Sequence, residues 1–118
     1  MISFGRDGRS LIARIEGEID HHTADEFKTS IEKEYGRINA KNIIFDFTGV
    51  TFMDSSGIGM LIGRYKKAVE YGGSVYAFGV SKEVFRIFEM SGLHKIIKIS
   101  DEEPADNLKK GGRVKWVK

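Results

Sequence analysis

Residues 42–69 read NIIFDFTGVTFMDSSGIGMLIGRYKKAV, and the hydrophobic period changes once along this stretch, from sheet to helix. Asn42 to Thr48 is a short, nearly continuous apolar run, the pattern of a strand buried inside a sheet. Gly49-Val50-Thr51-Phe52 reads as a connection, and Met53-Asp54-Ser55-Ser56-Gly57 leads into a second segment. There Ile58, Leu61, Ile62, Tyr65, Ala68 and Val69 fall at offsets 0, 3, 4, 7, 10 and 11, which is one apolar helix face. Gly72-Gly73 closes that helix. A buried strand that feeds an amphipathic helix through a short polar loop is half of a βαβ unit.

The flanking sequence repeats the unit. Upstream, polar Arg14, Glu16 and Glu18 alternate with Ala13, Ile15 and Gly17, as in a half-buried strand over residues 11–19. Residues 2–6 read as an edge strand paired across the Asp7-Gly8 turn. Thr23-Ala24-Asp25-Glu26 has the form of a capping box, which predicts a helix over 24–35 with Gly36 as its stop. Downstream, Val75 to Val80 is an apolar strand. Ser81 caps a third helix with Val84, Ile87 and Phe88 inward and Gly92 at its end. Ile96-Ile97-Lys98-Ile99 is a last short strand, and after Pro104 the signal fades. The order is ββαβαβαβ, an α/β fold with a mixed, mostly parallel sheet of four or five strands. Residues 1–100 form the domain, and 101–118 a tail that is at most part of a final helix.

Composition narrows the function classes. A chain of 118 residues is one domain and buries roughly 65% of its unfolded surface, enough for a single core. Cysteine is absent, which removes disulfides, thiolate metal sites and thiol nucleophiles. Met1-Ile2-Ser3-Phe4-Gly5 does not open a signal peptide, and no apolar run reaches membrane-spanning length. The expected location is the cytoplasm, with no membrane partner. The 19 basic and 17 acidic residues are interleaved to a net charge of +2, so direct nucleic-acid binding is not expected. The basic end, Lys109-Lys110 and Arg113 to Lys118, reads as a solvated extension.

Polar, reactive residues gather in two loops, Asp20-His21-His22-Thr23 and Asp54-Ser55-Ser56-Gly57. Each joins the carboxyl end of a strand to the amino end of a helix, the functional edge of an open α/β sheet. Asp and Ser are preferred N-cap residues, so the second loop is first of all a cap. Three features carry it further. Two serines and an aspartate exceed what one cap needs. Gly57 and Gly59 follow in a first turn where glycine costs about 1 kcal/mol relative to alanine. The helix face opposite the core carries Gly59, Met60, Gly63 and Lys67, a strip nearly bare of side chains with one exposed methionine, open to another backbone. A hydroxyl here suits phosphorylation, because free N–H groups and the positive dipole end would hold the phosphate. The group adds about −1.5 to −2 charges beside Asp54, and a partner packed on the strip would meet buried, unpaired negative charge.

Other chemistries fit less well. His21 and His22 point in different directions on an extended loop, and His94 is the only further histidine, so the set does not make a metal site. They read as surface contacts or loop-ordering groups. A serine hydrolase would show Gly-x-Ser-x-Gly, whereas the frame here is Asp54-Ser55-Ser56-Gly57-Ile58. Walker-type phosphate loops are absent, and no cofactor is expected. A phospho-receiver domain with Asp54 as acceptor is an alternative. It needs an acidic pair, which Glu18 and Asp20 imitate weakly, and a lysine that residues 75–80 lack.

At these positions the chain resembles the STAS-domain anti-sigma factor antagonists over about residues 2–100. The matching stretches are Gly17-Glu18-Ile19-Asp20-His21-His22-Thr23-Ala24, Phe52 to Gly59 continuing through Leu61, Gly63, Arg64 and Tyr65, and Met90-Ser91-Gly92-Leu93. The doubled histidine and the long second motif are most similar to the sporulation branch, which acts in the sigma-F pathway. The resemblance implies a small sheet with helices mainly on one face, and a protein that is not an enzyme. It implies a partner that is both anti-sigma factor and serine kinase, of the ATPase fold. The unphosphorylated antagonist binds it and releases the sigma factor. Phosphorylation of the second serine, Ser56, separates the pair, and a PP2C-type phosphatase restores the hydroxyl. Asp20 and Asp54 then belong to the surface around the phosphosite, with His21, His22, Thr23, Ser55, Gly57, Gly59, Met60, Gly63 and Arg64 contributing to partner binding. A STAS subunit of a stress-signalling or lipid-transport complex is the alternative within the same fold. The tail departs from the family's frequent final helix.

Overall fold

The computed structural model describes residues 1–100. Five strands and three helices follow one another as β1 (Ile2–Asp7), β2 (Ser10–Ile19), α1 (Ala24–Arg37), β3 (Asn42–Met53), α2 (Ser55–Glu70), β4 (Val75–Phe78), α3 (Lys82–Ser91) and β5 (Lys98–Ser100), with a 3₁₀ turn at Leu93–Lys95 before β5. β1 and β2 form an antiparallel hairpin, and β2, β3, β4 and β5 are parallel neighbours in sequence order. Crossovers between parallel strands are right-handed. Because the strand order never reverses, the three right-handed crossovers bring α1, α2 and α3 to the same face. The predicted order ββαβαβαβ is the observed one.

The core lies between that face and the helices. Leu11, Ala13 and Ile15 of β2, Ile43, Phe45 and Phe47 of β3, and Val75 and Ala77 of β4 point into it. Phe27 and Ile31 of α1, Leu61 of α2, and Val84 and Phe88 of α3 meet them from above. Phe47 stands edge-on to both Phe45 and Phe88 with ring centroids 5.8 Å apart, the arrangement aromatic quadrupoles favour.

Several boundaries differ from the sequence reading. β3 does not stop at Thr48 but runs to Met53, so residues 49–52 are strand and not connection. Its partner explains this: β2 is long enough to continue the ladder, and two register shifts, between Arg14 and Glu16 and between Gly17 and Glu18, keep it in step to Ile19 opposite Met53. Gly17 takes a φ of +95° at the second shift. α1 passes through Gly36 and ends at Arg37, and the chain reverses only at Asn39, where φ is +53°. β4 ends at Phe78 because Gly79 turns the chain with φ +71°. The apolar run Ile96-Ile97 is not strand: Ile97 is buried and its N–H donates to the Leu93 carbonyl, so β5 begins at Lys98, two residues later than expected. Val69, expected inward, is 51% exposed at the end of α2. The predicted tail, 101–118, lies outside the described residues.

Candidate functional site

The two polar loops follow β2 and β3, which are adjacent and parallel, so the topology places them side by side. The Asp54 N–H donates to the Ile19 carbonyl (3.1 Å), joining the two loops directly.

The first loop is closed on itself. The Asp20 carboxylate accepts from the His22 N–H (2.9 Å) and the Thr23 N–H (3.1 Å). The Thr23 hydroxyl accepts from the Asp20 N–H (3.0 Å) and is shared between the Glu18 carbonyl (2.9 Å) and the Asp20 carboxylate (3.3 Å). The capping box is therefore not formed. Thr23 has helical angles (φ −106°, ψ −25°), which turn its hydroxyl back toward β2 and away from the first helical N–H groups. Asp20 stands in for it one turn earlier, its carbonyl accepting from the Ala24 N–H (2.8 Å). Partial desolvation raises the Asp20 pKa, but the two N–H donors, the Thr23 hydroxyl and the nearby His22 outweigh it, and the net shift is downward. His21 and His22 are exposed, with ring centroids 3.8 Å apart.

The second loop is a true cap. Asp54 is extended (φ −110°, ψ −168°), and its carboxylate accepts from the Ser56 N–H (2.8 Å). Its carbonyl accepts from the N–H groups of Gly57 (3.0 Å) and Ile58 (3.2 Å). The expectation of free N–H groups awaiting a phosphate is thus corrected: Asp54 already occupies those of Ser56 and Gly57, and the Ile58 N–H makes the first regular helical bond. Ser55 is exposed and Ser56 half-buried, and neither hydroxyl has a hydrogen-bond partner among the described residues. Gly57 is buried, so it is not a surface contact. A Cβ there would collide with the Met53 side chain and come within 3.0 Å of Ile19 Cγ2, so the glycine lets α2 start directly against β2 and β3.

Between α1 and α2 runs a recess lined by His21, Ala24, Asp25, Lys28, Ser56, Gly59, Met60, Gly63 and Arg64. A Cβ on Gly59 or Gly63 would meet nothing within 4 Å, so this floor is open as the bare strip predicted. Met60, assigned to the exposed strip, and Arg64, named as a partner-binding residue, are both corrected to buried. Met60 is 5% exposed and Arg64 6% exposed. The reason is that α2 packs on α1 as well as on the sheet. The buried arc therefore widens to Gly57, Met60, Leu61, Arg64 and Ala68, beyond the apolar stripe that periodicity counts. Arg64 Nη1 pairs with Glu32 Oε2 at 3.1 Å, while Arg64 Nε has no partner among the described residues.

Sequence reasoning missed the α1 wall, Asp25 and Lys28. Their signal was topological: consecutive right-handed crossovers make α1 and α2 parallel neighbours, so the flank of the α1 stripe Ala24-Phe27-Ile31 faces the start of α2. Among the described residues no three His, Cys, Asp or Glu side chains gather as metal ligands, and no helix is long and apolar enough to cross a membrane.

Comparison with known proteins adds an independent line. The pattern of the STAS domain matches residues 2–105. The sequence is 40% identical over 93 residues to an anti-sigma F factor antagonist of Paenibacillus polymyxa, covering 79% of this chain and 80% of that protein. It is 35% identical over 98 residues to an anti-sigma-B factor antagonist of Listeria monocytogenes, covering 83% and 85%. Among solved structures, the Bacillus cell fate determinant SpoIIAA in its phosphorylated form superposes with a TM-score of 0.70 at 27% identity, covering 91% of this chain and 97% of that one.

Proposed function

This chain belongs to the STAS domain family, and on that premise we propose that it acts as an anti-sigma factor antagonist switched by phosphorylation of Ser56. In this reading the unphosphorylated protein docks on an anti-sigma factor that is also a serine kinase of the ATPase fold, and the sigma factor is released. The docking rim is Asp20, His21, His22, Thr23, Asp54 and Ser55 around the open floor of Gly59 and Gly63. Gly57, Met60 and Arg64 support that floor from beneath. Phosphorylation ends binding, and a PP2C-type phosphatase restores it. The protein is a cytoplasmic regulator of the sporulation type and a substrate of the kinase, not an enzyme. Residues 1–100 do this work, and 101–118 are an appended tail.

The observation that supports the reading best is the state of Ser56. Its hydroxyl stands without an intramolecular partner beside a cleft of bare glycines, at a helix start already fixed by Asp54. Adding a group to that oxygen breaks no bond that the fold needs. It places a dianion on the docking surface, where a desolvated, unpaired charge costs a complex several kcal/mol. The test is mass-spectrometric mapping after incubation with a cognate anti-sigma kinase and ATP. Phosphate on Ser56, with loss of co-elution of the two proteins, is expected; phosphate on Ser55 or elsewhere overturns the assignment.

A further inference from the structure

On the proposed reading Ser56 carries a phosphoryl group, and its surroundings decide where that group rests. The helix start holds it less than a bare amino end would, because the Ser56, Gly57 and Ile58 N–H groups all bond to Asp54. The Asp54 carboxylate also repels an added dianion. Cations share the lining of the recess. Lys28 projects from α1 into the same lining as Ser56, is exposed, and belongs to no salt bridge among the described residues. His21 belongs to the same lining. Arg64 is also in the lining, but it is nine-tenths buried and paired with Glu32. The charged groups that oppose them are Asp25 on α1, Asp20 and Asp54 in the loops, and Glu32, which is committed to Arg64.

We propose that Lys28, assisted by His21, is the receptor for the phosphoryl group on Ser56. The phosphate then bridges α2 to α1 over Gly59 and Gly63. Phosphorylation plugs the recess as well as charging it, and the glycine floor is withdrawn from any partner backbone. A phosphatase must displace Lys28 to reach the ester. This rests on the reading of Ser56 as the phosphosite, but the receptor is a property of the phosphorylated chain alone and is measured without any partner.

The experiment uses the full chain with phosphoserine installed at position 56 during translation, so that no kinase is needed. Its second ionisation is followed by ³¹P NMR. An exposed phosphoserine titrates near pH 6, and one cation about 5 Å away lowers that by about half a unit even in high dielectric. The midpoint should lie below the ordinary value in the parent, rise by about half a unit in Lys28→Ala, and return in Lys28→Arg. In 1 M salt the difference between parent and Lys28→Ala should shrink, because screening is then short-ranged. His21→Ala should raise the midpoint less than Lys28→Ala does. Lys28 is exposed, so its variants should fold, which the amide spectrum checks. Equal midpoints in parent and Lys28→Ala would overturn the receptor. If the midpoints shift as expected but kinase modifies another residue, the receptor geometry stands and the switch reading falls.

Discussion

The two loops at the active edge occupy equivalent places, each between a parallel strand and the helix after it, and each contains an aspartate and hydroxyl residues. They use those hydroxyls in opposite ways. In the first, the Thr23 hydroxyl is consumed by the Asp20 N–H and the Glu18 carbonyl, and the loop is self-contained. In the second, Asp54 does all the capping, and Ser55 and Ser56 keep their hydroxyls free of intramolecular hydrogen bonds among the described residues. The difference separates a structural hydroxyl from a chemical one. A serine whose oxygen does nothing for the fold is one that a modifying enzyme can change without unfolding its substrate.

The strongest way to break this comparison is to charge the free hydroxyl. Ser56→Asp should weaken binding to the anti-sigma partner at least 100-fold, a change of about 2.7 kcal/mol or more. Its melting temperature should stay within about 2 °C of the parent, since no intramolecular bond is lost. Ser56→Ala should bind like the parent and resist phosphorylation. Calorimetric titration and thermal melts of the three proteins decide it. A melting point that collapsed in Ser56→Ala would show the hydroxyl to be structural after all.

A second test sharpens the contrast inside α2. Gly57→Ala drives a methyl group into buried Met53 and Ile19, and overpacking of this kind costs about 1–3 kcal/mol, partly offset by alanine's better helix propensity. Gly59→Ala meets open space and should raise stability by about 0.5–1 kcal/mol. On the proposed function it should nevertheless weaken partner binding, because it roughens the floor of the recess. Urea denaturation paired with a binding assay measures both. Equal stability changes at the two positions would mean that the close approach at Gly57 is relieved by movement of α2.

How far the sequence carries one toward this site follows from which forces are local. The period change at residues 42–69 located β3 and α2 because burial of one face against a sheet dominates both. Bare Gly59 and Gly63 were legible as an open strip for the same reason. Met60 was misplaced because a single-face pattern does not include the second neighbour, α1, which buries a flexible side chain that looks solvent-facing. Residues 49–52 open on a glycine and expose Thr51 and Phe52, yet they pair with β2, because bulges near Gly17 stretch that ladder and no local pattern announces a bulge. The capping box at Thr23 failed for a related reason: the motif fixes which residues are present, not the φ and ψ at which the threonine sits.

Removing the structural hydroxyl gives the next smaller effect. Thr23→Val keeps the shape of the side chain but leaves the Asp20 N–H and the Glu18 carbonyl short of a partner, and should cost about 1–2 kcal/mol. Partner affinity should change far less than in Ser56→Asp. A Thr23→Val protein as stable as the parent would erase the distinction between the two loops, since both hydroxyls would then be idle.

The smallest effect concerns Asp20. Its folded-state pKa is lowered from 3.8, so the carboxylate favours the native state wherever the unfolded chain is ionised, above that value. As pH falls through the lower native value, the proton is taken up in both states and the contribution disappears. Asp20→Asn removes it at every pH. The gap in denaturation midpoint between parent and Asp20→Asn should therefore be constant near pH 7 and narrow below about pH 4, as the carboxylate protonates in both states. A gap that widened on acidification would mean that the neutral acid, and not the carboxylate, is the form that the His22 and Thr23 N–H groups select.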